Sequence, residues 1–286
     1  EYFISGTATA YKNVGPLGED GIWSVEPGEN ATYKTRILIY RPADSERFNG
    51  TVVVEWLNVS GGLDSAADWI MAHTELIREG YAWVGVSAQF VGVEGGGSII
   101  GLPSMPLKTV DPQRYGSLVH PGDSFSYDIF SQAGKLLRSP AGSSLLGDRP
   151  LDKLIGIGES QSAFRLVTYI NAVHLVAEIY DGFLVHSRGG YGTPLSESPQ
   201  PVVPVSGAPR IREDVDVPVL IFQTETDITL LQWLAVRQPD SYNIRVWEVA
   251  GTAHADAYTI VLGPKDLGNS PDAARLVVTS TPLVGF

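Results

Sequence analysis

Three polar residues fall in a chain order that could do acyl chemistry. Ser160 stands in Gly158-Glu-Ser-Gln-Ser162, between the apolar run Leu154 to Gly158 and a stretch with helically spaced Ala163, Leu166, Val167 and Ile170. A hydroxyl attacks at neutral pH only when a base takes its proton and donors hold the oxyanion that forms. A sharp strand-to-helix turn of the Gly-x-Ser-x-Gly kind meets both needs. It exposes the serine at the carboxyl end of a strand and aims the next N–H, here that of Gln161, at the developing charge. Ser162 occupies the last position, where the demand is for small size because the helix passes close to the strand. It is read as a packing residue.

Such a turn predicts an acid after a later strand and a histidine after the last one. The run Val217 to Gln223 leads into Thr224-Glu225-Thr226-Asp227, and Ile244 to Val249 leads into a glycine-bearing loop ending at His254. A strand, a three-residue turn and then the acid favours Asp227, with Glu225 in reserve. Asp227 would fix the His254 tautomer and stabilise the imidazolium without taking the proton. A second oxyanion donor is expected from the loop Asn58-Val-Ser-Gly-Gly62, through the backbone amides of Val59 or Ser60. Phe90, Tyr115, Tyr127 and His186 are candidates for the substrate pocket, with the proline-rich stretch 194–209 as its rim. His73, His120 and His174 read as packing or surface residues.

Two rival chemistries fit less well. Gly156-x-Gly158 lies at a strand–helix junction, but a dinucleotide fingerprint needs a third small residue where Gln161 stands. His254 and Asp256 could pair on a metal, yet no third ligand lies at metal spacing. Neither a metal nor a cofactor is expected.

The bulk composition agrees with a globular protein of 286 residues, 43% hydrophobic and 18% charged. A net charge of −12 lacks the basic footprint that nucleic acid or an anionic membrane surface would need. There are no cysteines, which excludes thiolate catalysis and Cys-ligated metal sites. No apolar run approaches the ~20 residues of a membrane span. The expected location is soluble, with the cytoplasm favoured over secretion, and three Asn-x-Ser/Thr sites at Asn30, Asn49 and Asn58 do not alter that.

The elements that must position these residues read as β-strands at Tyr2–Tyr11 and Thr32–Tyr40, then alternating strands and helices. Strands are expected at 51–57, 81–88, 154–158, 180–186, 219–223 and 244–249. Helices are expected at 64–80, 123–138, after Ser160, and briefly around 230–236. The connection 90–120 is too long for a plain βα loop. Prolines at 194, 199, 201, 204 and 209 preclude regular structure between 191 and 217. No linker divides the chain, so residues 1–286 are expected to form one domain with loop or lid insertions near 90–120 and 190–216.

In sequence, Gly158-Glu-Ser-Gln-Ser162, Thr224-Glu-Thr-Asp227 and Gly251-Thr-Ala-His254 resemble the α/β-hydrolase superfamily. Four further segments resemble a subgroup known as alpha/beta hydrolase domain-containing proteins. These are Phe3 to Ala10, Val54 to Ser60, His120 to Asp128 and His186 to Gly190. The resemblance spans nearly the whole chain. It implies an α/β fold with a mostly parallel central sheet, antiparallel N-terminal strands, helices on both faces, and a serine esterase-type triad. Members of the superfamily usually close with a helix after the histidine loop. Here Leu262 to Phe286 offers only a short helical stretch near 271–276, which implies a shortened chain or an element supplied by a partner subunit.

The expectation is therefore a serine hydrolase acting on small to medium, largely apolar carboxylic esters. An acyltransferase, thioesterase or amidase would use the same triad. A non-catalytic binding protein of this fold would lack a triad member or have a blocked crevice. Related enzymes with an aspartate nucleophile are set aside by Ser160. A homo-oligomer remains compatible with the sequence.

Overall fold

The computed structural model describes residues 1–205, 207–263, 266, 267, 269, 271, 272 and 275. Among these residues eight strands form one sheet: β1 (Tyr2–Asn13), β2 (Val25–Tyr40), β3 (Thr51–Trp56), β4 (Ala82–Val86), β5 (Lys153–Glu159), β6 (Gly182–His186), β7 (Val219–Thr224) and β8 (Ile244–Val249). Their order is β1-β2-β4-β3-β5-β6-β7-β8. The pairs β1/β2 and β2/β4 are antiparallel, and all others are parallel. The expected architecture is present.

The central strands are branched and apolar because the sheet is covered on both faces. Val52, Val54, Val84, Val86, Leu154, Val185, Val219 and Ile221 are buried. Helix α1 (Ala67–Arg78), α2 (Ser126–Leu137), α3 (Gln161–Thr168) and α4 (Glu225–Leu230) are the helices that bear on the site. Along α3 and the turn that continues it, Ala163, Leu166, Val167 and Ile170 are buried, as their spacing requires. Burying a leucine such as Leu166 contributes roughly 1.5–3 kcal/mol.

Strand order reverses between β3 and β5, because the chain leaves β3 for β4 on one side and returns to β5 on the other. Open α/β sheets bind ligands at such a switch point, outside the carboxyl ends of the strands. Asn58 follows β3 and Ser160 follows β5, so both fall there.

Three sequence expectations are corrected. The first helix begins at Ala67 instead of residue 64, because Asn58 and Ser65 exchange two backbone hydrogen bonds of 2.8 Å that hold the preceding loop extended. The helix expected around 230–236 lies earlier, at Glu225–Leu230. Trp233–Val236 forms only a 3-10 turn. The long connection after β4 contains three single-turn helices, at Phe90–Val93, Leu107–Val110 and Pro112–Tyr115. The short helix expected near 271–276 falls largely outside the described residues. Among the described residues no helix is long and apolar enough to cross a membrane.

Candidate active site

Ser160 follows β5 with φ +55° and ψ −118°, a left-handed conformation that a non-glycine residue adopts at a cost of about 1–3 kcal/mol. Its backbone N–H donates to His186 O of the adjacent strand at 3.0 Å, and its carbonyl accepts from Phe164 N at 3.2 Å. These bonds hold the turn that presents the hydroxyl. Gly158 lies close beneath it: a Cβ there would sit 3.0 Å from the Ser162 carbonyl carbon and oxygen, a contact the helix start would have to relieve by shifting. Ser162 is fully buried and its hydroxyl donates to Glu159 O at 3.2 Å. It packs between turn and helix, and a larger side chain would push the two apart.

The three sequence candidates meet. His254 Nε2 lies 2.8 Å from Ser160 Oγ, and His254 Nδ1 lies 2.7 Å from Asp227 Oδ1. Asp227 sits in the first turn of α4, not in an open turn as expected. Its Oδ2 accepts the Thr224 N–H at 2.7 Å, in a capping box that locks the carboxylate's direction. Asp227 is fully buried, which works against its charge. The hydrogen bond from His254 and those from Thr224 outweigh this and hold its pKa below the ordinary carboxylate value. The histidine loop is tied to the same helix: His254 N donates to Thr226 Oγ1 at 2.8 Å. Glu225 is not joined to His254. Its Oε2 accepts Gly251 N at 2.6 Å and fastens the loop.

Gln161 is the first residue of α3, so its backbone N–H has no intrahelical acceptor and projects from the helix start. Its side-chain oxygen accepts the Val59 N–H at 3.4 Å and the Gln89 amide at 3.0 Å. The Val59 amide thus faces the residue after Ser160. The Ser60 amide is committed elsewhere, donating to Asn58 Oδ1 at 2.8 Å, which removes it from the candidate oxyanion pair. Asn58 in turn donates to Glu159 O at 3.0 Å and pins this loop to the end of β5.

The pocket expectations divide. Phe90 is part exposed and lines a cavity of about 360 Å³ with Pro121, Asp123, Glu197 and Pro199. Its neighbour Gln89 is hydrogen-bonded to Gln161, which places Phe90 beside the crevice. Tyr127 is a correction: it is fully buried against Trp56, and its hydroxyl donates to Pro194 O at 2.7 Å, anchoring the proline-rich loop. Tyr115 is another. Its hydroxyl donates to Glu1 Oε1 at 2.8 Å and its ring tilts against Phe3, at the β1 edge of the sheet and away from β5. His186 lies at the crevice but turns inward, with Nδ1 2.7 Å from Asp68 Oδ1. A groove of about 930 Å³ lies between β1 and α2 and shares no residue with the site.

Sequence reading missed a second layer of acids. Glu55, Asp68 and Glu159 are buried around Asp227. Glu159 Oε1 lies 3.4 Å from His254 Nε2. Burial, followed by the charges of Asp68, Glu55 and Asp227, pushes the Glu159 pKa well above the ordinary carboxylate value. Glu55 interrupts the apolar run Thr51 to Leu57, and a carboxyl inside a buried strand was the available signal. Among the described residues no three acids or histidines form a metal-holding group.

A lidless a/b serine hydrolase from Xanthomonas campestris shares 14% identity over 96% of this chain and 97% of its own, with a TM-score of 0.42. Est1E from Butyrivibrio proteoclasticus, solved with ferulic acid bound, shares 11% identity over 86% and 95%, at 0.41. A fungal esterase from Rhizomucor miehei shares 13% over 97% and 82%, at 0.44. No curated protein matches. The model of the alpha/beta hydrolase domain family matches residues 1–282, and the chain belongs to that family.

Proposed function

We propose that this protein is a serine hydrolase that cleaves carboxylic esters of small to medium, largely apolar substrates through an acyl-enzyme. The observation that carries this reading is the unbroken hydrogen-bond chain from Ser160 Oγ through His254 to the buried Asp227, at 2.8 and 2.7 Å. These are working distances for a nucleophile and its base in the absence of substrate.

In this reading Ser160 Oγ attacks the acyl carbon while its proton passes to His254 Nε2. Asp227, fixed by the α4 cap, holds Nδ1–H and stabilises the imidazolium. The backbone amides of Gln161 and Val59 receive the carbonyl oxygen as it gains charge. One donor of this kind is typically worth ~3 kcal/mol of transition-state stabilisation. The Gln161 side chain, which contacts Val59 N in the free protein, gives way to that oxygen. Imidazolium Nε2–H then protonates the departing alcohol, and water repeats the sequence in reverse to release the acid. No cofactor takes part.

Phe90 and the 194–209 loop would shape the pocket, and the apolar character of Phe90 supports an apolar substituent on the ester. The test is turnover of a graded series of p-nitrophenyl esters by purified protein beside Ser160→Ala. The reading predicts that Ser160→Ala loses about 10⁴-fold or more in kcat. Retention of wild-type turnover by the variant would end it. Thioester, amide and acceptor-alcohol substrates run in parallel distinguish hydrolysis of esters from the other acyl transfers the same triad supports.

A further inference from the structure

We propose that Glu159 is a positioning residue for the base: a buried carboxyl placed to receive the His254 Nε2–H during the interval when the imidazole carries the Ser160 proton. The proposal rests on the serine-hydrolase reading above and assigns a further role within that site.

The argument begins with what each buried acid has for company. Glu55 accepts three N–H groups, from Asp68 N at 3.0 Å, Trp69 N at 2.9 Å and Trp83 Nε1 at 2.8 Å. Asp227 has Thr224 N and His254 Nδ1, both at 2.7 Å. Asp68 has the His186 imidazole at 2.7 Å. Among the described residues, Glu159 has only Asn58 Nδ2 as a hydrogen-bond donor, at 3.3 Å from its Oε2. Its other oxygen, Oε1, lies 3.4 Å from His254 Nε2. A buried carboxylate with so few donors is costly unless a cation faces it.

The charged groups around Glu159 come from every neighbouring element. Glu55 lies on β3, Asp68 on α1, His186 on β6 directly opposite Glu159, Asp227 on α4, and His254 on the loop after β8. Three of these are acids, and they raise the Glu159 pKa together with its burial. His186 is already paired with Asp68. The cation available to Oε1 is the one that forms on His254.

That cation exists only in part of the cycle. While Nε2 accepts the Ser160 hydroxyl at 2.8 Å, as the serine-hydrolase reading requires, Glu159 has no hydrogen to accept from it. When the Ser160 O–H bond breaks and Oγ bonds to the acyl carbon, the proton resides on Nε2. Glu159 Oε1 is then a second acceptor, besides Ser160, for that N–H. The proton later leaves Nε2 for the alcohol oxygen of the leaving group, and Glu159 gains or loses no bond other than this hydrogen bond. A contact made only after proton transfer favours the transition state over the ground state.

The variant that isolates the charge is Glu159→Gln, whose side-chain oxygen can still accept Asn58 Nδ2. The first readout needs no turnover: an NMR titration of the His254 ring in Ser160→Ala, with and without Glu159→Gln. An ionised Glu159 facing Nε2 favours the His254 cation, and Glu159→Gln removes that charge, so the midpoint is expected to fall by about half a unit or more. The second readout is kinetic. Glu159→Gln is expected to lower kcat about tenfold with KM unchanged, and to move the acidic limb of kcat/KM to lower pH. A midpoint unchanged within about 0.2 units, or a kcat within about twofold of wild type, overturns the proposal and leaves Glu159 as an anchor for Asn58. Should the protein show no esterase activity at all, the kinetic arm has no reference rate. The titration arm still reads the Glu159–His254 contact, so the two failures are separable.

Discussion

Two imidazole–carboxylate pairs lie side by side at the carboxyl edge of this sheet, and their hydrogen bonds are the same length. His254 Nδ1 meets Asp227 at 2.7 Å, and His186 Nδ1 meets Asp68 at 2.7 Å. What differs is the other side of each ring. The His254 side chain is 27% exposed and turns Nε2 to a hydroxyl held in a strained turn. The His186 side chain is 12% exposed and sits edge-on to Phe222, with centroids 5.1 Å apart. A carboxylate behind an imidazole does not make a base for catalysis. A nucleophile in front of it and an open path to solvent do.

The two pairs also differ in what carries them. Asp227 and His254 sit on a short helix and a loop that follow β7 and β8, joined by Thr226 and Glu225. His186 belongs to β6 itself and Asp68 to α1, so that pair ties a strand to the helix covering it. The first is held by hydrogen bonds between two segments beyond the strand ends, and the second is part of the frame.

This contrast can be broken most visibly at the acids. Asp227→Asn is expected to lower kcat on a p-nitrophenyl ester by roughly 10³–10⁴-fold with the fold intact, because the amide favours the wrong His254 tautomer. Asp68→Asn should do the reverse. Its loss of stability in urea is expected to be about 1–3 kcal/mol, while kcat stays within about tenfold. Equal kinetic losses for the two variants would mean that both pairs serve the reaction.

The pH dependence of stability sharpens the contrast further. Burial works against protonation of His186, but the hydrogen bond and charge of Asp68 outweigh it and raise its pKa. A group protonated more readily in the folded state stabilises the fold below its unfolded pKa, and that contribution fades as pH rises through the folded value. Urea midpoints of wild type and His186→Phe should therefore differ more at about pH 5.5 than at about pH 8.5. A difference that grows with pH would show His186 to be neutral and its pairing with Asp68 uncharged.

The smallest effect is expected at Ser162→Gly. The residue is buried at the back of the turn and bonds only a backbone carbonyl, so kcat should change by no more than about threefold. A loss as large as that of Asp227→Asn, with an unchanged circular dichroism spectrum, would mean that the second serine takes part in the chemistry.

Much of this arrangement was legible in the sequence because it is written locally. Branched runs such as Val52-Val-Val54 announce buried parallel strands, and the Gly-Glu-Ser turn between a strand and an amphipathic helix marks the proposed nucleophile. The order of Asp227 and His254 follows from the topology that such a turn implies. Contacts between distant residues were not legible. Asp68 and His186 are 118 positions apart, and nothing in the spacing of either announces the other. Asn58 reads as one polar residue in a glycine-rich turn, yet its side chain joins that turn to β5. The start of α1 was misplaced because Asn58 and Ser65 pair across the loop, which overrides the helical spacing around residue 64. Tyr127 reads as a pocket residue, but its large apolar ring is buried against Trp56.

The most direct measurement is rapid quenching of the protein with a p-nitrophenyl ester, followed by peptide mass spectrometry. The account predicts that the acyl group is found on the peptide carrying Ser160, that the adduct is absent from His254→Ala, and that it accumulates before steady state. Release of p-nitrophenol with the acyl group on another residue, or undiminished acylation of Ser160 without His254, would contradict it.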